Sequence, residues 1–165
     1  MNQHEFMQLI NPFTDRLYRL AKRLLISKDE ASDAQQEVLL KLWQKKEDLN
    51  NYKNVEAFAV TMTKNYCLDQ LKSKRAQRAD IENVVVRDTT ASVYQQVEDR
   101  DSWDHIEKYV SQLPETQRLL FQYREVEEME YDIIAELTGM NETAIRVALS
   151  RLRKQIREFM ILQHQ

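Results

Sequence analysis

The 165-residue chain has one glycine, two prolines and one cysteine, and each shortage closes off a class of structure or chemistry. A lone cysteine, Cys67, allows no intramolecular disulfide, and its flanks suit a packed helix position rather than a reactive thiol. A lone glycine, Gly139, leaves nothing to build a glycine-rich loop around a phosphate. With so few turn-forming residues a sheet of short strands has little support. His4, His105 and His164 are scattered without metal-ligand spacing, and no serine, histidine and acid set or carboxylate pair stands out from helical surface charge. These absences predict a protein that is not an enzyme and holds no metal or cofactor. No apolar run is long enough to span a bilayer and the N-terminus lacks a signal-peptide pattern. No membrane insertion and a cytoplasmic location are therefore expected.

What remains is rich in Leu, Gln, Glu, Lys and Arg in long unbroken stretches, which predicts an all-α fold. The length suits one medium domain or two small ones. Phe13, Leu17, Leu20, Ala21, Leu24 and Leu25 recur at helical spacing and mark a first amphipathic helix ending near Ser27. A second starts near Asp29 with Ala34, Val38 and Leu42 as its inner stripe, which Trp43 can extend. After a polar break at 47–54, a third runs from about Val55 to Arg75, with Phe58, Met62, Tyr66 and Leu71 as its expected core contacts. These three would pack as a bundle over residues 1–78. From about 79 to 101 the pattern breaks into β-branched and polar residues without helical period, and this segment reads as a linker. A second helical domain follows over 102–165. Trp103, Ile106, Tyr109, Val110 and Leu113 stripe its first helix, and Pro114 starts the next, which carries Leu119, Leu120 and Tyr123.

The formal net charge of -3 fits poorly with a nucleic-acid partner until the charges are mapped. They are segregated. Lys64, Lys72, Lys74, Arg75 and Arg78 form one basic block with only Asp69 inside it. The last helix carries a second, Arg146, Arg151, Arg153, Lys154 and Arg157, with no acid among them. Acidic residues gather between these blocks, from Asp80 to Asp101 and from Glu125 to Asp132.

The segment from Tyr131 to Lys154 reads as a helix-turn-helix. Gly139 sits where the first helix must stop and reverse, a position open to a left-handed backbone. Ala135, one turn earlier, is small enough for a second helix to cross closely. Ile134, Met140, Ile145 and Ala148 supply the apolar contacts, and Asn141 is a good N-cap for the helix that follows. The acid-free face of that helix can meet phosphates and guanine edges, although basic residues late in a helix also suit its C-terminal dipole.

Two further segments, with the helix-turn-helix, carry a family resemblance over nearly the whole chain. Residues 31–43, with Asp33, Gln36, Glu37 and Trp43 matching best and Leu40 and Lys41 beside them, resemble the segment by which extracytoplasmic-function sigma factors of the bacterial sigma-70 family dock on polymerase. Residues 58–75, with Asn65, Asp69 and the basic cluster in register, resemble that family's -10-reading helix. Residues 113–121 and the helix-turn-helix resemble its -35-reading domain. The resemblance implies core RNA polymerase (β′ clamp and β subunits), promoter DNA and an anti-sigma factor as partners. It implies polymerase contact through Asp33, Gln36, Glu37, Leu40, Lys41 and Trp43, and -10 contact through Lys64, Asn65, Asp69, Lys72, Lys74 and Arg75. It places -35 contact on Thr143, Arg146, Ser150, Arg151, Arg153 and Lys154.

The chain departs from the family pattern at three places. Ala59-Val60 stand where Trp-Leu is common, Glu127-Glu128 where Glu-Gly is common, and Val147-Ala148 where Ser-Arg is frequent. Two other readings of the same residues remain. One is a dimeric helix-turn-helix repressor or activator that binds a palindrome without polymerase. The other is a helical adaptor for proteins alone, which predicts no salt-dependent DNA binding.

Overall fold

A computed structural model of the chain describes residues 1–80 and 102–163; the linker expected at 79–101 lies almost wholly outside the described residues. These form helices α1 (Gln3–Leu25), α2 (Lys28–Gln44), α3 (Val55–Asp80), α4 (Ser102–Ser111), α5 (Glu115–Phe121), α6 (Tyr131–Thr138) and α7 (Glu142–Gln163). A single 3-10 turn at Leu49–Asn51 precedes α3, and α5 runs on into a π-helical turn at Gln122–Val126. Among the described residues there is no strand, and no helix is long and apolar enough to cross a membrane.

The first helix is the spine of the molecule. It opens with a capping box in which the Asn2 side chain accepts from the Glu5 amide while the Glu5 carboxylate accepts from the Asn2 amide. One face then buries Phe6, Ile10, Phe13, Leu17, Leu20, Ala21, Leu24 and Leu25. The expected stripe is there, and it begins two turns earlier than periodicity alone suggested. Each large side chain so buried contributes about 1.5–3 kcal/mol of transfer free energy. Ser27 caps α2, whose Ala31, Ala34, Val38 and Leu42 pack inward.

The expected contacts of α3 pack against the core, but its fully enclosed residues lie beside them. Phe58, Met62, Tyr66 and Leu71 are half-buried, whereas Ala59, Val60, Thr63 and Cys67 are fully enclosed. The reason is size. Small residues let α3 approach α1 and α2 closely, and the larger side chains flank that contact line instead of forming it. Thr63 satisfies its hydroxyl on the Ala59 carbonyl. Ala59 and Val60, in place of the family's Trp-Leu pair, are thus core residues. Burial pushes the Cys67 thiol up to about 12, which leaves it inert.

In the C-terminal unit, short helices enclose Val110, Leu120, Ile134, Ile145, Leu149 and Leu152. Pro114 precedes α5 as its N-cap residue. The π-helical turn adds one residue to the winding at the end of α5. Its closing amide bond runs from Glu127 to the Gln122 carbonyl, which turns Glu127 back toward α1. Glu128, next in the chain, has φ of 56°. It occupies the left-handed region that the family's common glycine takes without strain.

Candidate nucleic-acid interface

The helix-turn-helix is assembled as its residues dictate. The first helix, α6, ends at Gly139, whose φ is 76° and whose amide donates to the Ala135 carbonyl. Open space surrounds the position of a Cβ there, so the demand for glycine comes from the backbone and not from crowding. Asn141 caps α7, its side-chain oxygen accepting from the Ala144 amide at 2.7 Å. Ile134, Ile145 and Leu149 are fully buried between the helices, with Met140 and Ala148 half-buried at the margins.

That packing decides which side chains face out. Thr143, Arg146, Ser150, Arg151 and Lys154 are all exposed on α7, on the side away from Ile145, Leu149 and Leu152. Arg153 is held nearer the body of the unit, its Nε donating to Glu125 at 2.5 Å. A hydrogen bond with the Arg153 guanidinium lowers the Tyr131 phenol below its ordinary value, and burial opposes this. The Tyr131 ring also has the Arg146 guanidinium 4.0 Å from its centroid and that of Arg124 at 4.4 Å. Three guanidiniums therefore converge on one phenol. Arg124 was not among the residues expected here, because in sequence it sits at the head of an acidic run. The signal that finds it is positional, one arginine ahead of an aromatic that opens α6.

The second basic cluster lies on α3. Asn65, Asp69, Lys72 and Arg75 are exposed along it, and Lys64 and Lys74 are half-buried. Lys41, Phe58, Thr61, Met62, Asn65, Tyr66 and Asp69 line a cleft between α2 and α3. Lys41 Nζ stands 5.3 Å from the centre of the Tyr66 ring. An aromatic wall, an amide and an ammonium in one cleft can stack and hydrogen-bond an unpaired base. The cations of α3 are not all free. Lys64 donates to the Leu137 carbonyl of α6 at 2.7 Å, and burial lowers its ammonium below the ordinary lysine value. Lys74 is paired with Glu30 of α2, and Arg75 with Glu115 of α5.

On α2, Asp33, Gln36 and Leu40 fall on one exposed face with Glu37 beside them. Leu40 is 50% exposed, an apolar side chain ringed by polar ones. Trp43 is elsewhere. It meets Phe6 of α1 edge to face at 5.1 Å and carries Lys46 over its ring at 3.6 Å, so the indole braces the end of α2 and leaves only part of itself to a partner.

Two family models match the chain. Residues 9–77 match the family model for Sigma-70 region 2, and residues 104–156 match that for Sigma-70, region 4. No curated protein matches the chain. Among solved structures, the fold is similar to that of the sigma factor RpoE from Bartonella quintana, in a co-crystal structure with the anti-sigma factor NepR. The TM-score is 0.72 at 20% identity, covering 94% of this chain and 96% of the other.

Proposed function

The chain belongs to the sigma-70 family and is a sigma factor of the extracytoplasmic-function type acting in promoter recognition; from that premise we propose how its surfaces divide the work. It performs no catalysis. The unit at 1–78 docks on core RNA polymerase through the exposed α2 face of Asp33, Gln36, Glu37 and Leu40, with Lys41 and Trp43 at its end. It takes the opened -10 strand along α3, an unpaired base entering the cleft beside Asn65 and Tyr66 while Lys72, Lys74 and Arg75 follow the backbone. The unit at 102–165 sets α7 in the major groove at -35. There Thr143, Arg146, Ser150 and Arg151 meet base edges, and Arg153 and Lys154 the phosphates.

The observation that carries this reading is the exposed face of α7, acid-free from Thr143 to Arg157, held outward by a glycine-stopped turn and a fully buried inner face. Partners are the β′ clamp and β subunits of core polymerase, promoter DNA and an anti-sigma factor, all met in the cytoplasm. Support for the last comes from the similar fold having been captured with one.

Runoff transcription with purified core polymerase on pooled genomic fragments tests the proposal. Start sites that require the protein are expected, and they should fade with Gln36→Ala/Leu40→Ala and with Arg146→Ala/Arg151→Ala. Tight binding of the protein alone to a palindrome, without polymerase-dependent starts, would replace this reading with that of a dimeric repressor.

A further inference from the structure

Where α1 ends, a cleft of about 520 Å³ opens between that helix, α4 and the π-helical turn, a size ordinary for small-molecule sites. No residue of α2, α3 or α7 lines it, so it is separate from the surfaces assigned above. Its floor is built. Arg23, whose side chain is only 9% exposed, forks Glu107 of α4 at 2.7 and 2.9 Å and donates to the Gln122 side chain at 2.9 Å. The same guanidinium lies 5.0 Å from the centre of the Phe121 ring. Buried Arg118 donates to the Arg23 and Leu24 carbonyls and so fixes the end of α1.

Two features of the walls are unfavourable for the fold alone. Ile26 ends α1 with a φ of 72°, an outlier for a β-branched residue, and its side chain stands 46% exposed at the rim. Such strain persists where the surroundings over-determine it, and it gathers at ligand sites. Across the cleft, Lys108 of α4 is part of the wall, and its ammonium is enclosed without a partner. An enclosed charge is destabilising until an anion pairs with it. Lys22, on the α1 side, has no acidic partner among the described residues. Trp103 completes the rim at 48% exposed.

These groups divide by chemistry. The indole of Trp103 and the side chain of Ile26 suit a planar ring. The ammonium groups of Lys22 and Lys108 suit a phosphate, and the Glu107 carboxylate and Ser111 hydroxyl can accept from a ring amine or a sugar hydroxyl. We propose that this cleft binds a nucleoside phosphate, its base between Trp103 and Ile26 and its phosphate on Lys22 and Lys108. The assignment does not depend on how the protein meets promoter DNA.

Fluorescence anisotropy of N-methylanthraniloyl-ATP, titrated with the full chain, tests the site. Saturable binding is expected, and ATP should displace the probe at concentrations where adenosine and tripolyphosphate each leave it bound. Lys22→Met, Lys108→Met and Trp103→Leu should each weaken binding roughly tenfold, whereas Lys53→Met, outside the cleft, should not change it. Ile26→Gly should weaken binding without lowering the midpoint of thermal unfolding, because it removes a wall of the cleft while relieving the backbone. A residue that served the fold alone would not give that combination. Absence of saturable binding by the parent, or losses confined to Arg151→Ala on α7, would overturn the site. Displacement by tripolyphosphate as strong as that by ATP would overturn it too, since charge alone would then account for binding.

Discussion

Along α3, Lys64, Lys74 and Arg75 are each engaged by oxygen atoms of the chain itself, beside exposed Lys72 and Arg78, whereas along α7 only Arg153 is held by a carboxylate, Arg146 lies over the Tyr131 ring, and Arg151, Lys154 and Arg157 stand exposed. Two basic runs of similar density therefore arrive in different states. The cause is position. The third helix lies where α2, α5 and α6 bring Glu30, Glu115 and a helix-end carbonyl within reach. The outer face of α7 points away from the rest of the molecule. A cluster of cations in sequence measures capacity for phosphate, and its availability is set by what folds against it.

The sharpest way to break the comparison is to remove the support of the exposed face. Leu149→Ala, at a fully buried position beneath α7, is expected to cost about 2–5 kcal/mol of stability, read by urea unfolding. Promoter-directed transcription should fail with it. Next in size, Arg146→Ala and Arg151→Ala should each weaken -35 binding by about 1–3 kcal/mol if they read bases, or flatten its salt dependence by about one charge if they hold phosphate. In the free protein Lys74→Ala and Arg75→Ala should change duplex binding much less, and their effect should appear only with polymerase present. Equal losses from both helices in the free protein would erase the distinction.

A smaller effect should come from pH. Burial disfavours the ionised form of Glu127, but hydrogen bonds from Arg19 and Arg16, with their charges, outweigh it and hold the carboxyl below its ordinary value. The group therefore contributes to the contact of α1 with the turn after α5 fully above the ordinary carboxylate value of about 4.3, and the contribution is lost as pH falls through its depressed value. The stability of the parent and of Glu127→Gln, followed by urea unfolding, should differ near neutrality and converge in acid. Smallest are the two turn positions. Gly139→Ala, forced to a φ of 76° in open space, should lose about 1 kcal/mol. Glu128→Gly should gain a few tenths of a kcal/mol, because it relieves a φ of 56° but frees the unfolded chain. Thermal unfolding distinguishes the two signs.

Much of the scaffold was legible because it follows from local period and punctuation. The α1 stripe, the start of α4 at Ser102, Pro114 before α5, and the Gly139 and Asn141 caps are each readable from residues within a turn or two of one another. On α3 the expected Phe58, Met62, Tyr66, Leu71 and Cys67 do pack, but the enclosed Ala59, Val60 and Thr63 were missed, because period fixes a stripe only within a residue or so and large side chains draw attention from small ones. Close helix packing favours the small residues. Arg124 was missed for a related reason, since its tie is to the Tyr131 ring across a turn and its sequence neighbours are acids.

By itself the sequence determined that the chain is helical, where the turns between most of its helices fall, and that the helix after the glycine turn carries no acid from Thr143 to Arg157. Those properties depend on contacts a few residues apart, where propensity and capping act. Tertiary structure alone decided which charges are spoken for. Glu127 lies 111 residues from Arg16 and 108 from Arg19, and Glu115 lies 40 from Arg75. At such separations no periodicity links the partners, and only the packing of α1 against both units brings them to hydrogen-bonding distance.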